Sequence, residues 1–129
     1  GRGRNDSAGA RAGGAGMEAI DADETHDCFA MTEYMAIYHL GLTAPGEAWK
    51  AVEAGDIEIG GRLPINPSGG LIGLGHPVGA TGVRMLLDAH RQVTGQAADN
   101  QVEGARRVQT PNIGGSTTTT VSFIVEQAA

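Results

Sequence analysis

Two short stretches combine residue types suited to acid–base and oxyanion chemistry. The first is His26-Asp27-Cys28-Phe29, at an expected strand-to-helix junction. Free N–H groups and the positive dipole end at a helix N-terminus favour a thiolate, as does a neighbouring imidazolium. A thiol tuned in this way can take and return a proton, or attack a carbonyl. The same residues also suit a buried structural cysteine beside a capping aspartate. The second stretch is Asn66-Pro67-Ser68-Gly69-Gly70, continued by Gly73-Leu74-Gly75-His76-Pro77, Gly79, Thr81 and Gly82. So many glycines weaken regular structure, and they let backbone approach a ligand or another backbone closely. A helix is predicted to begin near Val78, which places His76 at or just before its N-terminus. There a neutral imidazole can donate a hydrogen bond to an oxyanion, because the dipole disfavours protonation. A tight turn with a structural histidine is the alternative. A third candidate, Asn112-Ile113-Gly114-Gly115-Ser116, is expected at a hairpin tip, where by itself it is turn chemistry.

The glycine spacing is not that of a dinucleotide fingerprint, because the glycine after Gly73-x-Gly75 arrives one position late, at 79. No Gly-Lys-Ser/Thr exists to make a P-loop, and no His/Cys/Asp spacing matches a metal site. His39 and His90 lie on expected helices and read as ordinary histidines.

The elements that must position these groups are partly legible. A weak strand is expected from Glu18 to Thr25. A helix follows, with Asp27 as its expected N-cap; Met31, Tyr34, Met35 and Tyr38 recur at helical spacing, and Gly41 stops it. Pro45 and Gly46 open a short second helix through Trp49 and Val52, stopped at Gly55-Asp56. Loop and a short strand follow over residues 57–66. Beyond the glycine-rich stretch, Val83, Leu86, Leu87, His90 and Val93 mark one face of a further helix, stopped at Gly95. GARRVQT and TTTTVSFIVE are rich in strand formers, with PNIGGS as the turn between them. Strand and helix alternate and a hairpin ends the chain, which predicts an α/β fold: a mixed β-sheet with helices on its faces.

Composition excludes several classes. The 129 residues carry 9 basic and 15 acidic side chains, a net charge of −6. One lysine and eight scattered arginines make no basic face, so no nucleic-acid partner is expected. No apolar run is long enough for a membrane span. The single cysteine excludes a disulfide framework and suits a reducing compartment, so a cytoplasmic location is expected, with an organelle as the alternative. Of the 40% hydrophobic residues, 19 positions are alanine and only five are aromatic, so a core built from them is lean and association with a further surface is expected. Residues 1–16, dominated by Gly and Arg, are expected to be disordered or a fraying helix end. The absence of a starting Met is expected of a chain that begins inside a longer product, or after processing or a tag.

The pattern Asn66-x-x-Gly69-Gly70-x-Ile72-Gly73-x-Gly75-His76-Pro77-x-Gly79-x-Thr81-Gly82 resembles the Gly-His-Pro signature of the thiolase family, C-terminal half. His26-Asp27-Cys28-Phe29 is similar to the motif of sterol-carrier-protein-type thiolases. The resemblance covers residues 17 to 126 in order. It implies that residues 17–129 form a thiolase-like C-terminal domain, half of a layered αβαβα fold, lacking the N-terminal catalytic half. It implies thiolytic cleavage of 3-ketoacyl-CoA, or the reverse Claisen condensation, with coenzyme A as substrate and no permanently bound cofactor. His76 would donate to the thioester oxygen, and His26 would stand where most of the family has the Asn that holds a water. Phe29, Gly75, Pro77, Asn112, Gly114 and Gly115 would bind the substrate, with Phe29 lining the pocket and Gly114 and Gly115 beside the acyl group. Most thiolases carry an acid/base cysteine where this chain has Asn112; the resemblance makes Cys28 the replacement. His76 and Cys28 are thus expected to converge on one thioester.

The nucleophilic cysteine of the family belongs to the N-terminal half, so the resemblance implies an N-terminal half or sister subunit as partner, in a homo- or hetero-oligomer. Two other functions fit: a non-catalytic module binding acyl-CoA, lipid or a partner protein, and a subunit of a thiolase-like lyase acting on steroid-CoA thioesters.

Overall fold

A computed structural model describes residues 17–115 and 117–128. The disorder expected for residues 1–16 lies outside these described residues. After a 3-10 turn at Met17–Ala19 come strand β1 (Ala22–Asp23), helices α1 (Ala30–His39), α2 (Ala48–Ala54), α3 (Gly70–Leu74) and α4 (Thr81–Val93), a second 3-10 turn at Ala98–Asn100, and strands β2 (Arg107–Gly114) and β3 (Thr119–Glu126). The sheet order is β1-β2-β3, with β1 parallel and β3 antiparallel to the central β2. Ile65 adds a lone parallel bridge to Asp23, which is all that forms of the strand expected within 57–66. The mixed α/β sheet with helices on its faces is the architecture expected.

Each face has its own core. Ile20, Ile37, Leu40, Ala48, Ala51, Leu63 and Ile65 pack with α1 and α2 over one side, where Ile124 joins them. Ala22, Ala89, Val93, Val102, Ala105 and Val108 pack with α4 over the other, where Val125 joins. Ile124 and Val125 serve opposite faces because successive strand residues alternate. Small side chains fill much of both cores, as the alanine content foretells.

Several boundaries differ from expectation. The β1 ladder is two residues long, since Asp21, Asp23 and Glu24 dilute its apolar character. Nonetheless the chain stays extended beyond it: Glu24 N donates to Gln109 O at 2.9 Å and His26 N to Pro111 O at 3.1 Å. β2 runs through Pro111 and Asn112 rather than ending in a turn, with Pro111 opposite Ser122 and Asn112 opposite Val121. A proline is tolerated in this central strand for a geometric reason. Its carbonyl faces His26, so its nitrogen does too, and β3 loses no donor.

The buried side of α4 also differs. Val83 is 72% and Leu87 45% exposed, and His90 is exposed, whereas Thr81, Met85, Asp88, Ala89, Gln92 and Val93 are buried. Among the polar members of the buried face, Gln92 donates to Asn100 O at 2.7 Å and accepts from Val102 N at 2.8 Å. Asp88 sits 3.4 Å from both Arg84 and Arg91. Apolarity alone ranks these positions as outward; the hydrogen bonds of Gln92 and the ion pairs of Asp88 offset the cost of burying them.

Candidate active site

Alternation along residues 22–27 divides the side chains. Ala22 packs with α4, so Glu24 and His26 face the same way, while Asp23 faces Glu33 of α1. The carboxylates on both sides fasten the glycine-rich loop. Asn66 Nδ2 donates to Glu33 at 2.9 Å. Ser68 donates to Glu24 twice, from its backbone N at 3.1 Å and its hydroxyl at 2.6 Å. The Asp27 carboxylate accepts from Leu71 N at 2.5 Å and Ile72 N at 3.5 Å.

The last contact corrects an expectation. Asp27 is not the cap of the helix that follows it; α1 is preceded by Phe29, which makes no side-chain cap bond. Asp27 instead caps α3, 44 residues away. Its buried side chain is screened from water and takes up free N–H groups in the first turn of α3. Cys28 consequently precedes the N-cap of α1; it is half-buried and its thiol is free.

Burial pushes the Glu24 carboxyl up to about 7 against the pull of its Ser68 hydrogen bonds, with Asp88 adding to the rise and Arg84 opposing it. Burial likewise raises Asp23 well above the usual carboxylate range, aided by Glu24 and Glu33. The folded state therefore holds the Glu24 proton more tightly than the unfolded chain does. That contribution to stability is complete below about 4.5 and is lost as pH rises through about 7. Between pH 5 and 8 the protein should lose about 2–3 kcal/mol more stability than its Glu24→Gln variant, read from urea unfolding at several pH values. Parallel pH profiles would show that Glu24 does not titrate in this range.

His26, His76 and Asn112 come together from three separate stretches. The imidazole rings of His26 and His76 lie edge to face, with centroids 4.8 Å apart. His26 Nδ1 is 2.6 Å from Asn112 Oδ1. Gly82 makes room for that amide, since a Cβ there would lie 2.8 Å from Asn112 Nδ2. His26 is buried and His76 is exposed. His76 Nδ1 is 2.7 Å from the Thr81 hydroxyl. The helix after His76 begins at Thr81, not near Val78. His76 is thus held by the first side chain of α4, and Pro77 belongs to the turn that leads into it.

Each remaining candidate lies within three residues of His26, His76 or Asn112 along the chain. Phe29 is 74% exposed, and Gly75 and Pro77, flanking His76, are exposed. Gly114 ends β2 and Gly115 begins the turn beyond it, so Asn112 lies inside the strand rather than at the tip. Thr81 and Ser68 were not singled out from sequence as site residues, although both stand inside the glycine-rich pattern. Among the described residues, no group of three or more His, Cys, Asp or Glu is arranged to hold a metal ion.

Comparison with known proteins bears on this arrangement. The chain is 45% identical over 97 residues to an acetyl-CoA acetyltransferase of Methanothermobacter thermautotrophicus, which covers 75% of this chain and 25% of that protein. It is 43% identical over 102 residues to sterol carrier protein 2 of Gallus gallus, covering 78% of this chain and 19% of that one. Among solved structures, the Ltp2-ChsH2(DUF35) aldolase superposes with a TM-score of 0.74 at 30% identity, over 85% of this chain and 27% of that chain. The chain thus spans about a quarter or less of the length of these relatives. Residues 4–127 match the model of the thiolase C-terminal domain-like family, and the chain belongs to that family.

Proposed function

We propose that this chain is the C-terminal part of a thiolase-type acyltransferase that acts on 3-ketoacyl-CoA and acyl-CoA thioesters. The observation that carries this reading is the meeting of His26, His76 and Asn112 from three distant stretches. In it, His76 donates to the thioester oxygen as negative charge develops there. His26 holds a water beside the same oxygen, and Cys28 moves the α-carbon proton. Phe29, Gly75, Pro77, Asn112, Gly114 and Gly115 shape the space for the acyl and pantetheine chain. Coenzyme A takes part as a substrate, and no resident cofactor is needed.

The nucleophilic cysteine comes from an N-terminal half, as another part of the polypeptide or as a sister subunit. The lean cores and the outward apolar side chains Phe29, Val78 and Val83, at 74, 80 and 72% exposure, support such a partner surface. Names among the relatives point the same way, since one is a benzoylsuccinyl-CoA thiolase subunit of Thauera aromatica, 33% identical over 102 residues. No helix of the described residues is long and apolar enough to cross a membrane. A reducing compartment such as the cytoplasm suits the free Cys28.

The test is reconstitution with an N-terminal thiolase half and measurement of CoA-dependent cleavage of a 3-ketoacyl-CoA. Cys28→Ala is expected to lower kcat about 10²–10⁴-fold. Unchanged turnover in that variant removes Cys28 from the acid/base role. Acyl-CoA binding by calorimetry in a complex that never turns over would instead favour a non-catalytic binding module. The superposition on an aldolase favours a second reading, a subunit of a thiolase-like lyase. Retro-aldol cleavage that proceeds without added CoA would single it out.

A further inference from the structure

The hydrogen-bond partners of the two histidines determine which nitrogen of each ring carries the proton. Asn112 presents its amide oxygen to His26 Nδ1 at 2.6 Å, and an amide oxygen only accepts. His26 Nδ1 therefore carries a hydrogen, and in the neutral ring Nε2 is left with its lone pair.

His76 is set the other way. The buried Thr81 hydroxyl has one proton and two candidate acceptors, His76 Nδ1 at 2.7 Å and Pro77 O at 3.2 Å. Pro77 O already accepts from Ala80 N at 2.8 Å and Thr81 N at 3.1 Å, which occupies both its lone pairs. The shorter contact to Nδ1, and the two N–H donors already on Pro77 O, direct the hydroxyl proton to His76 Nδ1. In the neutral ring, His76 then carries its hydrogen on Nε2.

We propose that Asn112 and Thr81 are positioning residues that hold His26 and His76 in opposite tautomers, so that the paired rings offer one lone pair and one N–H donor. The functional use rests on the acyl-transfer reading above. A donor at His76 Nε2 serves a developing oxyanion directly, whereas an acceptor at His26 Nε2 orients a water that donates to it. Were both rings protonated on Nδ1, neither would donate from Nε2 in the neutral state. Thr81 is thereby more than a helix residue: its hydroxyl selects the useful form of His76 across five positions of chain.

Long-range proton–nitrogen NMR on the ¹⁵N-labelled 129-residue chain reads the tautomers directly. The wild type is expected to show His76 protonated on Nε2 and His26 on Nδ1. Thr81→Ser should preserve the His76 signature. Thr81→Val, which keeps the shape and removes the hydroxyl, should erase it and, in the reconstituted enzyme, lower kcat by about tenfold with little change in KM. His76 protonated on Nδ1 in the wild type, or a Thr81→Val spectrum like the wild type's, overturns the proposal. The wild-type spectrum decides even if the valine variant fails to fold. Expected tautomers together with full turnover in His76→Ala would leave the tautomer assignment standing and refute the acyl-transfer reading instead.

Discussion

Gly70→Ala is expected to lower stability by about 3 kcal/mol. Two costs add. Gly70 has φ +61°, where an L side chain is strained by roughly 1–2 kcal/mol. A Cβ there would also lie 2.6 Å from Asp27 Cγ and overlap the carboxylate oxygens. That carboxylate cannot step aside cheaply, because it is buried and holds the backbone of Leu71 and Ile72. Overpacking of this kind typically costs about 1–3 kcal/mol. The control is Gly73→Ala in the same helix, where nothing lies within 4 Å of the new Cβ and φ is ordinary. It should be neutral or slightly stabilising, as Ala outranks Gly inside a helix. Urea midpoints at unchanged slope measure both. Equal effects at 70 and 73 would refute the account, and an Asp27→Ala background should relieve the steric part of the Gly70→Ala cost.

His76→Ala in the reconstituted enzyme is expected to reduce kcat about 10²–10³-fold, the usual consequence of removing one oxyanion donor, near 3–4 kcal/mol of barrier. KM should move much less, because the hydrogen bond strengthens only as charge develops on the thioester oxygen. Stability should change little, since the ring is exposed and its one hydrogen bond is to Thr81. A kcat within a few-fold of wild type would exclude the donor role. A fall in kcat matched by a comparable loss of folded protein would make His76 structural.

Much of the candidate site is legible along the chain because its residue types are distinctive in themselves. A cysteine between Asp27 and Phe29, and a histidine between Gly75 and Pro77, are unusual enough to be found without coordinates. Helix ends were legible for a related reason. Gly41 and Gly55 sit just past α1 and α2, where the backbone must leave the helical conformation. The inward face of α4 was not legible. Asp88 and Gln92 become interior only through partners on other turns and loops, and no hydrophobic period records those partners.

Residue order and type alone determined the α/β class, the two motifs and the family they resemble, since these follow from short-range periodicity and from side chains of rare reactivity. Tertiary structure alone decided that Asp27 caps a helix 44 residues on, that Asn112 lies within a strand against His26, and that Thr81 holds His76. The reason is physical. A hydrogen-bonding side chain carries the capacity to donate or accept in its own chemistry, but which partner it meets is fixed by where the sheet and helices bring distant backbone into register.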